Sequence, residues 1–127
     1  MRIEHIALWT PDIERLRIFY ERYFGAAAGP RYENPRKQFQ SYFLSFGVGA
    51  RVELMHSPLV MDAGSLREHS GYAHLALSLG SEAAVDALTG RLRADGYAVI
   101  DGPRRTGDGY YESAVLDPDG NRIELTV

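Results

Sequence analysis

Gly71-Tyr72-Ala73-His74-Leu75-Ala76-Leu77-Ser78 is a strand sequence that the chain has already used once, as Ile3-Glu4-His5-Ile6-Ala7-Leu8, and this recurrence decides the fold. Successive strand side chains point to opposite faces. In the later copy Leu75, Leu77 and Leu79 share one face, leaving His74, Ala76 and Ser78 on the other. In the earlier copy Ile6 and Leu8 oppose His5, Ala7 and Trp9. A helix is expected after each strand. Thr10 is the expected cap of the first, with Pro11 at its first helical position, Ile13, Leu16, Phe19, Tyr20 and Tyr23 at helical spacing, and Gly25 as its stop. Ser81 caps the second, Val85, Leu88 and Leu92 share its apolar face, and Gly96 ends it near Asp95.

Further strands complete each half. A polar loop containing Pro30, Asn34 and Pro35 precedes the runs 39–46 and 50–56, which Gly47-Val48-Gly49 joins as a hairpin. In the second half the runs 97–101, 110–116 and 121–127 are strands, the last two joined by the tight turn Asp117-Pro118-Asp119-Gly120. The expectation is an α+β chain of two βαβββ modules, about 1–56 and 72–127. Residues 57–71 would form a linker with a short helical turn.

Composition narrows the function classes. A chain of 127 residues suits one domain with its own core, so a metal would serve function more than folding. Fourteen Lys and Arg against 17 Asp and Glu give a net charge of −3 without a basic block, which argues against nucleic-acid binding. With no cysteine there is no disulfide, thiolate metal site or cysteine nucleophile, so metal ligands must be His, Asp or Glu. The chain opens directly into a strand-like run with no signal-peptide pattern, and no apolar run is long enough to span a membrane. A cytoplasmic protein is expected.

The repeat organises the polar residues. Glu53 follows His5 by 48 positions and Glu124 follows His74 by 50, so each module opens on a His and closes on a Glu. Val52 and Leu54, like Ile123 and Leu125, claim the apolar side of the closing strands, which leaves Glu53 and Glu124 opposite. Isolated charges are costly to bury, and a divalent cation among two imidazoles and two carboxylates removes that cost. Such a set suits six-coordinate Ni, Co, Mn, Zn or Fe, with positions left for a substrate. His56 and His69 fall outside the pattern and are expected at the surface, His56 near a pocket rim. Tyr42, Phe43 and Phe46 are expected to be ordinary strand residues.

Four segments carry a family resemblance: Ile3–Leu8, Arg51–Met55, Gly71–Ser78 and Asp117–Leu125. Together they resemble the vicinal oxygen chelate group, which comprises glyoxalases, bleomycin-resistance proteins and extradiol dioxygenases, and the likeness runs over the whole chain as a single domain, 1–127. It implies paired βαβββ modules in a partly open eight-stranded mixed barrel, a homodimer, and a divalent metal held by His5, Glu53, His74 and Glu124. The set is most similar to glyoxalase I, the lactoylglutathione lyase type. That likeness implies enediolate chemistry on a small carbonyl compound or its thiol hemithioacetal, with Glu124 as the general base and Glu53 as its partner. Glyoxalase I carries an Arg and an Asn for glutathione where this chain has Trp9 and Ser57. Trp9 would instead floor an aromatic or apolar pocket or fill the barrel. Arg104 and Arg105 sit in a glycine-rich stretch, 102–111, which reads as a connecting loop and, as a substrate gate, would offer them as anion contacts.

Two other functions share these residues. A ligand-sequestering protein of the bleomycin-resistance type would need no metal, and such modules generally lack the ligand set. A ring-cleaving dioxygenase would use Fe(II) on His5, His74 and Glu124, with Glu53 occupying a position that oxygen and substrate need.

Overall fold

The computed structural model describes residues 2–61 and 71–127. The chain divides into two compact units, Met1–Gly64 and Ser65–Val127. The first runs β1 (His5–Trp9), α1 (Ile13–Phe24), β2 (Ala27–Ala28), β3 (Tyr32–Asn34), β4 (Phe39–Ser45) and β5 (Arg51–His56). The second runs β6 (Leu75–Ser78), α2 (Glu82–Ala94), β7 (Val99–Arg105), β8 (Tyr111–Leu116) and β9 (Arg122–Thr126). This is the α+β architecture of two βαβββ-like modules. The His69 expectation and most of the expected linker turn lie outside the described residues.

Each module forms a mixed sheet in which the opening strand lies parallel to the closing one. The orders are β1-β5-β4-β2, with β3 also on β4, and β6-β9-β8-β7. The pieces β2 and β3 both pair with β4, so together they supply the strand that the repeat demands and the sequence disguised as a loop. Gly29-Pro30 interrupts that strand, and neither fragment is long enough to show alternation.

Helix α1 presents Ile13, Leu16, Phe19, Tyr20 and Tyr23 to the core, which Leu44, Val52 and Leu54 of its sheet complete. Its cap is Asp12 rather than Thr10: the Asp12 carboxylate accepts from the Arg15 amide at 3.0 Å. Thr10 is fully buried and its hydroxyl accepts from the Asp12 amide at 3.1 Å, fixing the approach to the helix, so Pro11 precedes the cap. Gly25 ends α1 at φ 63°. In α2, Ser81 caps as expected and Val85 and Leu92 are buried, but Thr89 is buried with them. The Thr89 hydroxyl donates to the Val85 carbonyl and meets the Ser113 hydroxyl, both at 2.6 Å, so that this core holds a satisfied polar pair.

Strand β7 extends through Arg105, beyond the expected 97–101, and the glycine-rich loop shrinks to the β7–β8 turn. Two register shifts, between Val99 and Asp101 and between Asp101 and Arg104, admit Gly102 and Pro103 as irregularities within a paired strand. At Gly102, φ is +69°, and an added Cβ would lie 2.6 Å from the Glu112 carbonyl oxygen. Gly102→Ala is expected to cost about 1–3 kcal/mol, read as a lowered urea midpoint at unchanged m-value.

Candidate metal-ligand pairs

The parallel pairs β1–β5 and β6–β9 carry the four candidate ligands in equal register. Ala7 lies beside Glu53 and Ala76 beside Glu124. In each module the His stands two positions before that alanine, His74 falling just ahead of β6. The difference between spacings of 48 and 50 is therefore absorbed in the connections. An alanine beside each glutamate leaves the carboxylate uncrowded, on the face away from the helix.

Side-chain geometry brings His and Glu together within each module. His5 Nε2 lies 3.9 Å from Glu53 Oε2, and His74 Nε2 lies 3.1 Å from Glu124 Oε2. The carboxylates are the better covered partners, 16% and 23% exposed against 40% and 36% for the imidazoles. Among the described residues no cluster of three or more His, Asp or Glu side chains is gathered at metal-holding distance.

The first pair has a further support that the sequence reading missed. His5 Nδ1 meets Glu4 Oε2 at 2.5 Å, and Arg51 Nη2 donates to the other Glu4 oxygen. These bonds, from His5 first and Arg51 second, hold the Glu4 carboxyl below its ordinary range. Glu4 against Nδ1 holds the ring with Nε2 on the side of Glu53. A carboxylate behind a ligating imidazole does this in metal sites. Phe43, expected to be an ordinary strand residue, flanks Glu53 in register and meets the His5 ring edge-on at 5.3 Å. The Arg51 guanidinium lies over Phe43 at 4.2 Å. The donor types, the equal register and the carboxylate behind His5 all fit a divalent ion.

The other singled-out residues divide. Trp9 shares the face of His5 and remains 53% exposed. Arg104 pairs across to Glu112, which stands in the same strand and parity as Ala114, the neighbour of Glu124; its guanidinium is held by Asp101 at 2.5 Å. Arg105 alternates to the other side and its guanidinium is taken by Glu82 of α2, so an anion contact there would have to displace a carboxylate. His56 is half-buried rather than a surface residue, with Nδ1 3.0 Å from the Thr10 carbonyl oxygen. No segment among the described residues is a helix long and apolar enough to cross a membrane.

Residues 2–125 match the family profile described as Glyoxalase/Bleomycin resistance protein/Dioxygenase superfamily. The chain belongs to that superfamily. Within the glyoxalase/bleomycin resistance/dioxygenase group, this chain is 29% identical to the lactoylglutathione lyase of Salmonella typhimurium over 127 residues, 98% of this chain and 91% of that one. It is 31% identical to the mitochondrial methylmalonyl-CoA epimerase of Bos taurus over 83 residues, 61% of this chain and 46% of that protein. Among solved structures, glyoxalase I from Zea mays superposes with a TM-score of 0.81 at 24% identity, over 98% of this chain but only 44% of the maize chain. The likeness to that structure carries the glyoxalase-like fold.

Proposed function

We propose that this member of the superfamily is a metal-dependent lyase or isomerase of the glyoxalase I type, acting on a small carbonyl compound or its thiol hemithioacetal. The reading is carried by the repeated His and Glu pair, each glutamate beside an alanine in the same parallel register. His5, Glu53, His74 and Glu124 would hold the ion, the two pairs meeting within one chain or across a homodimer. A divalent ion held there would supply Lewis-acid polarisation of the substrate oxygens.

The chain's own residues then have separable tasks. Glu4 orients His5 through Nδ1. The Glu124 carboxylate takes the proton from the carbon next to the carbonyl and returns it to the neighbouring carbon, within reach of His74 Nε2. Glu53 is the partner carboxylate, and Arg104, on the face that bears Glu124, would contact a substrate anion only by displacing Asp101. The bovine epimerase and the bacterial lyase are named for different reactions, and proton transfer next to a carbonyl is the chemistry this site suits.

Metal content by plasma mass spectrometry, on protein without a histidine tag or chelator and then loaded with Ni, Co, Zn or Mn, tests the reading. Near-stoichiometric metal is expected, followed by oxygen-independent turnover of methylglyoxal with a member of a thiol panel. A protein that holds none of these metals would be a ligand-sequestering module instead. Dependence on Fe(II) and O₂ would point to the dioxygenase reading. Light scattering should return the mass of a homodimer.

A further inference from the structure

The sheet of the first unit carries a second feature on the face of His5 and Glu53. Trp9 pairs with Met55, Met55 with Ser41, and Ser41 with Tyr32, so that one row of side chains crosses β1, β5, β4 and β3. The adjacent row, two residues along, holds Ala7, Glu53 and Phe43. That spacing is about 7 Å. Phe39, two residues before Ser41 on the same face, stands between two rings: its centroid is 6.1 Å from Trp9, edge-on, and 6.1 Å from Tyr32. Trp9 and Tyr32 are nevertheless 53% and 54% exposed. Large aromatics on a strand face are ordinarily covered, and two exposed rings joined through the half-buried Phe39 form a preassembled apolar surface.

We propose that Trp9, Phe39 and Tyr32 form a platform for an aromatic group on the ligand, so that the site takes aryl-substituted vicinal oxygen compounds in preference to their methyl counterparts. This deepens the functional reading above and rests on it for the position of the ligand oxygens near Glu53. The row holds rings, a thioether and a hydroxyl, with no cation for a carboxylate. An edge-on ring pair with an open face accepts a third ring by offset stacking.

Trp9 is the only tryptophan in the chain, so its fluorescence reports the platform directly. The neutral pair 1-phenyl-1,2-ethanediol and 1,2-propanediol would be titrated into chelated and metal-loaded protein, with Trp9 excited at the red edge of its absorption. A saturable change with the phenyl diol is expected at affinity about tenfold or more above the propane diol. Phe39→Leu and Tyr32→Ser should each reduce the phenyl diol affinity by about threefold to tenfold. Tyr32 sits on a short, exposed strand, so its substitution leaves the core intact. Equal affinity for the two diols, or a preference unchanged in both variants, overturns the platform. Protein that holds metal without the preference loses only this inference; protein that keeps the preference but holds no metal loses only the enzymatic reading.

Discussion

Glu124→Gln is expected to lower the turnover number by about 10²–10⁴-fold and to weaken metal retention, with near-native stability. Glutamine keeps the volume and one oxygen of the side chain but has no carboxylate to accept a proton. The strand around it is undisturbed, because Ile123 and Leu125, the fully buried neighbours, are unchanged and β9 keeps its pairing with β6 and β8. Turnover and bound metal are measured on the same preparation, with urea denaturation as the control for folding. Glu53→Gln is the informative companion: as the partner carboxylate, Glu53 is expected to matter more for metal retention than for turnover, so its variant should lose metal with a much smaller loss of turnover at saturating metal. Equal loss of turnover in the two variants, with metal restored, would remove the distinct role for Glu124.

Asp117→Ala is the substitution expected to cost the most stability, about 2–4 kcal/mol by urea denaturation. Asp117 is only 4% exposed, and its carboxylate organises the β8–β9 turn. One oxygen accepts from the amides of Asp119 and Asn121, both at 2.9 Å, and the other from the Asn121 side-chain amide at 2.8 Å. Alanine leaves those donors in a half-buried turn without their acceptor. Asp117→Asn should cost much less, since one amide oxygen can serve both backbone donors and the Asn121 amide can turn to present its own oxygen. Burial, the largest influence, pushes the Asp117 carboxyl above its ordinary range even though the hydrogen bonds pull it down. A carboxyl whose folded pKa is raised stabilises the fold fully below its unfolded pKa, and this contribution is lost as pH rises through the folded pKa. Stability measured upward from acid pH should therefore carry a declining component from Asp117 that Asp117→Asn lacks. The turn also sets the register that puts Glu124 between Ala76 and Ala114, so Asp117→Ala is expected to weaken metal retention as well.

What each kind of signal reaches is visible in particular residues. The parity of Ile6 and Leu8 against His5, or of Ile123 and Leu125 against Glu124, is written into the chain, because a strand's two faces have a fixed period and opposite solvent exposure. The stops at Gly25 and Gly96 and the turn at Asp117–Gly120 are local as well, since they depend on backbone conformations that few residues adopt. The sequence by itself therefore determined the repeated βαβββ plan, the family, and the face on which each candidate ligand lies. Thr10 and Asp12 were exchanged as caps because both are good capping residues and the choice depends on where buried Thr10 anchors the approach to α1. The strand pieces β2 and β3 exist only because β4 offers partners for them, and β7 runs through Gly102 and Pro103 because bulges absorb both. Glu4 behind His5, Phe43 beside Glu53, and the Trp9–Phe39–Tyr32 contact were decided by tertiary structure alone. They join residues distant in sequence or reach around a neighbouring side chain, and the pairing of strands, rather than any local preference, brings them within touch.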